Sequence, residues 1–175
     1  AGYDVCGVCG GSGVDTDGDG VCDAQDFTPY GEATLSFTNI TSESVDISYS
    51  SDVDLYGFQF AISGVTVTGA SGGAAADAGF TTSTGNNTVL GFSFSGAFVP
   101  AGDGTLVSLT FEPSISGGII SMGNLIISGD NGVAVAGFVP TDANVPSSCD
   151  TAIECWDGEI VCNSDDCSDE PVFTD

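Results

Sequence analysis

Twenty-five aspartates and glutamates are set against no lysine, no arginine and no histidine, so the chain carries a formal charge of −25. No ion pair between side chains can form within it. Carboxylates that folding brings together must be solvated, protonated or bound to a metal ion. The same deficit excludes nucleic acid as a partner, because phosphate binding needs cations on the protein. It also argues against docking on anionic membranes, and no stretch is long and apolar enough to insert into one.

The acids are unevenly spread over the 175 residues. Residues 1–30 carry 6, residues 31–141 carry 9 and residues 142–175 carry 10. All seven cysteines avoid the middle stretch: Cys6, Cys9 and Cys22 precede it, and Cys149, Cys155, Cys162 and Cys167 follow it. Both shifts mark the same boundaries. They divide the chain into a Cys/Asp-rich segment (1–30), a central domain (31–141) and an acidic, Cys-rich C-terminal segment (142–175). Seven cysteines in so acidic a chain predict disulfides and an extracellular setting, secreted or at the cell surface. Zinc is the rival for Cys6-x-x-Cys9, but no second C-x-x-C and no histidine complete a usual site. The odd count leaves one cysteine for a free thiol or a bond to another chain. Ala1 fits the expectation of a mature N-terminus after signal removal.

Within the first segment, Asp15-Thr-Asp-Gly-Asp-Gly-Val-Cys-Asp-Ala-Gln-Asp26 places acids at positions 1, 3, 5, 9 and 12 of a twelve-residue loop, on Asp15, Asp17, Asp19, Asp23 and Asp26. Gly20 holds position 6 and the carbonyl of Val21 position 7. This is the ligand spacing of an EF-hand-type Ca²⁺ loop, in which a hard cation takes six to eight oxygens. Position 12 is Asp26 rather than glutamate, which shortens the reach for bidentate closure. Together with Asp4-Val-Cys-Gly-Val-Cys-Gly-Gly-Ser-Gly13, the loop resembles the thrombospondin type 3 repeat over residues 4–26. That resemblance implies an Asp-rich Ca²⁺-binding segment tied by disulfides, with little regular structure. Dockerin loops are similar but lead into a helix. Here Pro29 and Gly31 oppose one.

The central domain reads as all-β. Apolar and small polar residues alternate over 33–40, 44–50, 55–63, 65–68, 79–84, 88–95, 105–112, 119–127 and 133–138, with Gly, Asn, Asp or Ser between. Period-2 burial puts Phe58, Phe60 and Ile62 on one inner face, and likewise Leu90, Phe92 and Phe94, and Val107, Leu109 and Phe111. About nine strands fit a β-sandwich or jelly roll. Gly72-Gly73 favours a loop over a helical turn at Ala74-Ala75-Ala76. Leu55-Tyr-Gly-Phe-Gln-Phe60, Val89-Leu-Gly-Phe-Ser-Phe-Ser-Gly96 and Val99-Pro-Ala-Gly-Asp-Gly-Thr-Leu106 resemble the cohesin-like and carbohydrate-binding-module group of sandwiches. The resemblance implies a nine-stranded jelly roll in an extracellular multimodular protein. Cohesins bind dockerins, but no motif for the binding face carries over to this chain.

The C-terminal segment allows two disulfides among Cys149, Cys155, Cys162 and Cys167 in three pairings. Asp165, Asp166, Asp169 and Glu170 cluster without EF-hand register and read as a solvated tail before a second ion site. Catalysis is poorly supported: there is no histidine for nucleophile activation, no lysine for a Schiff base and no basic phosphate clamp. Two sequons mark Asn39 and Asn86 as glycosylation candidates. Tyr49 and Tyr56 offer a thin aromatic platform for polysaccharide. The leading expectation is a structural, non-enzymatic protein that self-associates into a Ca²⁺-stabilised, disulfide-linked surface polymer or filament, with cell adhesion as its setting. In that scheme a thiol of the 6/9/22 group links to the 149–167 group of the next copy. The alternative is a binding module, for polysaccharide or protein, in a larger surface protein.

Overall fold

A computed structural model describes residues 13–149, 153–163 and 167. Cys6, Cys9, residues 4–12 of the repeat-like stretch and the acids Asp165, Asp166, Asp169 and Glu170 lie outside the described residues.

The chain is all-β, and the nine strands expected from alternation are all present. They are β1 (Glu32–Thr38), β2 (Ser44–Ser51), β3 (Gly57–Ser63), β4 (Val67–Ser71), β5 (Thr81–Gly85), β6 (Thr88–Phe92), β7 (Gly102–Phe111), β8 (Gly118–Ser128) and β9 (Ala134–Phe138). A short β10 (Ala143–Val145) adds to β8, and β11 (Ile153–Glu154) with β12 (Ile160–Val161) makes a separate small hairpin.

The two faces of the sandwich are one continuous sheet in the order β4-β7-β2-β1-β9-β8-β3-β6-β5. β9 is the join. It runs parallel to β1 (Glu32↔Ala136 to Thr34↔Phe138) and antiparallel to β8 (Ile127↔Val135, Ser128↔Ala134). At the opposite margin the Thr82 hydroxyl of β5 donates to the Ala70 carbonyl of β4 at 3.0 Å, so the sheet nearly closes on itself. Leu35, Ile47, Leu55, Phe58, Phe60, Leu106, Leu109, Ile120 and Ile127 fill the interior. A register shift between Ile47 and Ser48 leaves Leu106 as an extra residue in β7, so Leu106 and its neighbour Val107 are both buried.

Two expectations are corrected. Gly73–Asp77 is a one-turn helix, α1, with Ala75 fully buried. Gly73, read as a loop signal, is instead the residue that lets this turn lie on β7: it has φ 66°, and a Cβ there would sit 2.6 Å from the Leu106 carbonyl oxygen. The second correction is the phase of β6. Val89 and Gly91 face inward, while Leu90 and Phe92 face out and Phe94 beyond them is 86% exposed. The inner position is a glycine because the Phe58 ring lies where a Gly91 Cβ would be. Phe58 in turn packs against Phe60 and Phe80, with ring centroids 5.9 and 6.2 Å away.

Asparagines make several of the sharp turns. Asn86 and Asn87 link β5 to β6 as a two-residue hairpin with φ 50° and 58°. The Asn87 side chain then accepts from Val67 N–H at 2.9 Å and donates to the Val65 carbonyl at 2.6 Å, fixing the β3–β4 connection.

Gly91→Ala should destabilise the domain by about 1–3 kcal/mol through overpacking against Phe58. Urea unfolding checks this. An unchanged midpoint would show that the ring has room to move.

Candidate functional site

Two regions concentrate chemistry: the acidic loop before β1 and the outer face of β8-β3-β6-β5.

The loop is built by its own carboxylates. Asp15 accepts from Gly18 N–H at 2.7 Å and Gly20 N–H at 3.1 Å. Asp17 accepts from Asp19 N–H at 3.2 Å, and Asp19 from Val21 N–H at 2.7 Å. These are Asx-type turns, which curl the backbone around the side chains that make them. Gly18 and Gly20 take φ 81° and 93° within the curl. Behind it, Cys22 is buried and disulfide-bonded.

The five acids do not play the same part. Asp15, Asp17 and Asp19 each place one carboxylate oxygen within 4.8 Å of the other two. That separation suits ligands on one Ca²⁺, at 2.3–2.6 Å from the ion. Asp17 Oδ2 and Asp26 Oδ2 are buried without a hydrogen-bond partner, the two such side-chain atoms among the described residues. A buried carboxylate oxygen with no donor is costly, and positions 3 and 12 of the loop are where a cation would relieve it. Burial pushes the Asp17 carboxyl up, and the charges of Asp19, Asp26 and Asp52 add to the push. Asp26 Oδ1 accepts from Thr28 N–H at 2.8 Å, fixing the other half of its carboxylate. Asp23 is engaged elsewhere. It accepts from the Thr16 hydroxyl at 2.7 Å and Thr16 N–H at 2.9 Å, which hold its carboxyl below the usual range.

The outer face of β8-β3-β6-β5 is apolar in a way the sequence reading missed. Register places Ile126, Gln59, Leu90 and Ser83 in one cross-strand row, and Ser128, Gly57, Phe92 and Thr81 in the next. Ile126 is 56% exposed and Leu90 36%. Phe94 meets Phe92 edge-on at 4.7 Å, and Tyr56 lies against Phe98 at 5.3 Å. Between them runs a groove of about 240 Å³ floored by Gly57 and bordered by Tyr56, Leu90, Phe92 and Ile126. The opposite outer face, on β7-β2-β1, carries hydroxyls and acid instead. There Thr38 bonds Ser48 at 2.7 Å, and Asp46 accepts from Ser108 and Asn39. The missed signal was Gly91: a glycine at an inner position opposite a large ring reverses the phase of the strand.

Other sequence candidates resolve as follows. Tyr49 is buried, with its hydroxyl donating to the Pro100 carbonyl at 3.1 Å, so it is unavailable to a sugar and the two-tyrosine platform does not exist. Asn39 and Asn86 are exposed and both have positive φ, and Asn39 Nδ2 donates to Asp46 at 2.8 Å. Cys149 pairs with Cys162 and Cys155 with Cys167, an interleaved arrangement. With all four sulfurs paired inside one chain, the expected covalent link from this group to a neighbouring copy has no thiol here.

No family model and no curated protein sequence matches this one. Solved structures do. A type I cohesin from Clostridium thermocellum, solved in complex with a dockerin, superposes with a TM-score of 0.53 at 10% identity, covering 69% of this chain and 95% of that one. The fold is that of a cohesin module. A non-cellulosomal cohesin from the archaeon Archaeoglobus fulgidus is also similar, at TM-score 0.48 and 15% identity over 66% of this chain and 92% of that one.

Thr16→Val should raise the Asp23 pKa toward the ordinary carboxylate value by removing the hydroxyl donor. Carboxyl-detected NMR titration reads the shift directly. An unmoved Asp23 would mean that the bond does not hold the carboxylate in solution.

Proposed function

We propose that this chain is a non-catalytic protein-binding module of a larger extracellular protein. It docks a dockerin-like partner on the outer face of β8-β3-β6-β5, while the loop 15–26 is stiffened by Ca²⁺. The carrying observation is the apolar patch formed by exposed Ile126, Leu90 and Phe94 with half-buried Phe92, and the groove beside it. Contiguous exposed apolar surface on a soluble domain usually marks a recognition site. The structural likeness supports the same reading, because the neighbour with this fold was solved bound to a dockerin. A chain without one cation also favours a partner that brings basic groups to the rim of an apolar contact. The two disulfides of the C-terminal segment fit an oxidising compartment. Among the described residues no helix is long and apolar enough to cross a membrane. The covalent form of the filament reading needed a thiol from the 149–167 group, and that group is paired within the chain, so the binding-module reading is the better supported.

For Ca²⁺, the residues that fit are Asp15, Asp17, Asp19 and Asp26, with the Val21 carbonyl as the position-7 ligand of such loops. Bound there, the ion supplies the positive charge that no side chain of this protein can. Asp23 holds the loop closed through Thr16.

Surface plasmon resonance against a panel of dockerin modules tests the docking face. Leu90→Asp and Phe92→Asp should weaken binding by about 100-fold or more, as loss of a central apolar contact does, while Ser36→Asp on the opposite face should not. Failure of every dockerin to bind, or loss through Ser36→Asp alone, would overturn the reading.

Saturating Ca²⁺ should raise the melting temperature by about 5–10 °C over chelator, from about 2.7 kcal/mol of linkage at a hundredfold excess over the dissociation constant. Asp17→Asn or Asp26→Asn should abolish the shift. Identical melting with Ca²⁺ and with chelator would remove the metal from the proposal.

A further inference from the structure

A second, larger cavity opens beside the groove. It measures about 450 Å³ and lies between the acidic loop and the end of the sandwich. Asp17, Asp52, Asp54 and Asp130 line it together with Tyr30 and Tyr56, and Val53, Ala101 and Val133 give it apolar walls. Tyr56 is shared: one side of its surroundings is this cavity, and the other is the apolar groove.

Three observations define what fits. First, the carboxylates are fixed in place but keep accepting capacity. Asp52 accepts from Glu32 N–H at 2.7 Å, Asp54 from Ala101 N–H at 2.8 Å, and Asp130 from the backbone and side chain of Asn131 at 2.8 and 2.9 Å. Each carboxylate has further lone pairs. Second, the acids are spread too widely for one metal ion. Among the described residues only Asp15, Asp17 and Asp19 converge within a metal-sized sphere, and that group is the loop's own. Third, no lysine, arginine or histidine exists in the chain to fill the cavity from within. A long cationic side chain matches all of these. Its aliphatic stem covers Val53, Ala101 and Val133, and its planar head lies against a tyrosine ring within reach of separated carboxylates.

We infer that this cavity seats an arginine side chain of the protein partner whose apolar contact fills the adjoining groove. The inference rests on the docking face proposed above. It adds that recognition is two-pronged, with one apolar and one guanidinium anchor on either side of Tyr56. Asp54 and Asp130 already bear on Tyr56, whose hydroxyl is pushed up by desolvation and by these two charges. The loop borders the seat through Thr16 and Asp17, but Asp17 belongs to the Ca²⁺ set proposed above, so the acids left for the guanidinium are Asp52, Asp54 and Asp130.

The test is an amide-detected NMR titration of the Ca²⁺-saturated full chain with three small probes. Nα-acetylarginine amide should shift Tyr56, Ala101 and Gly129 saturably. Its neutral isostere Nα-acetylcitrulline amide should bind about tenfold more weakly or less, and raised salt should weaken the arginine probe. The double substitution Asp54→Asn/Asp130→Asn keeps the acceptors for Ala101 N–H and Asn131 N–H, gives up only the exposed Asn131 Nδ2 contact, and should reduce arginine binding by about tenfold without disturbing resonances elsewhere. Equal binding of the two isosteres, or arginine binding that survives the double substitution, would overturn the seat. Nα-acetylleucine amide reports the groove separately through Leu90 and Phe92. Leucine-probe shifts without arginine-probe shifts would leave the docking face standing and remove the cationic anchor. The reverse would keep the anchor and remove the face.

Discussion

Because the protein owns no side-chain cation, the charge of every described carboxylate that is held in place is held by hydrogen bonds. Asp15, Asp17 and Asp19 accept backbone N–H groups of their own loop. Asp52 and Asp54 accept from Glu32 and Ala101, and so fix the approach of the chain to β1 and to β7. Asp46 is held by Asn39 and Ser108 across three strands, and these donors keep its carboxyl below the usual range. Such bonds are short-range and directional, whereas the repulsion among acids is neither. Apart from Asp46, which lies within β2 and has side-chain donors, these acids sit at turns and strand ends, where backbone donors are free, and the interior is left to aliphatic and aromatic side chains.

The two outer faces divide the work. One is a hydroxyl-rich surface whose groups satisfy one another, as Thr38 with Ser48 and Asp46 with Ser108 do. The other leaves isoleucine, leucine and phenylalanine in water. β9 makes this division possible: by pairing with β1 on one side and β8 on the other, it turns a single sheet into two faces around one core.

Alternation exposed β1 to β9, since period-2 patterning is a direct consequence of half-burial, but not the three-residue β10 on β8, which is too short to show a period. It did not fix which half is buried when both phases are apolar. In β6 the choice between Leu90-Phe92 and Val89-Gly91 depends on Phe58, a residue about thirty positions away in sequence and directly across the pair in space. Helix α1 was hidden for a related reason: Gly73 signals a break locally, yet its absent side chain is what admits the turn against Leu106. The loop was legible because its acids are neighbours in sequence. Even there, spacing alone could not show that Asp23 turns to Thr16 while Asp26 keeps an oxygen without a donor. The apolar groove and the acidic cavity draw residues from distant strands and loops, which no local pattern reports.

Gly57 has a different standing from the other tight glycines. It is not among the positive-φ glycines, and a Cβ there would meet the Gly91 carbonyl oxygen at 3.4 Å and the Ser128 Cβ at 3.9 Å, both ordinary contacts. Neither backbone strain nor crowding demands a glycine. An alanine would relieve the conformational entropy that glycine loses in a strand, roughly 0.5–1 kcal/mol. It would also raise the floor of the groove between Phe92 and Ser128. At this one position the most stable sheet and the most deeply contoured surface call for different residues, and the chain carries the residue that keeps the contour.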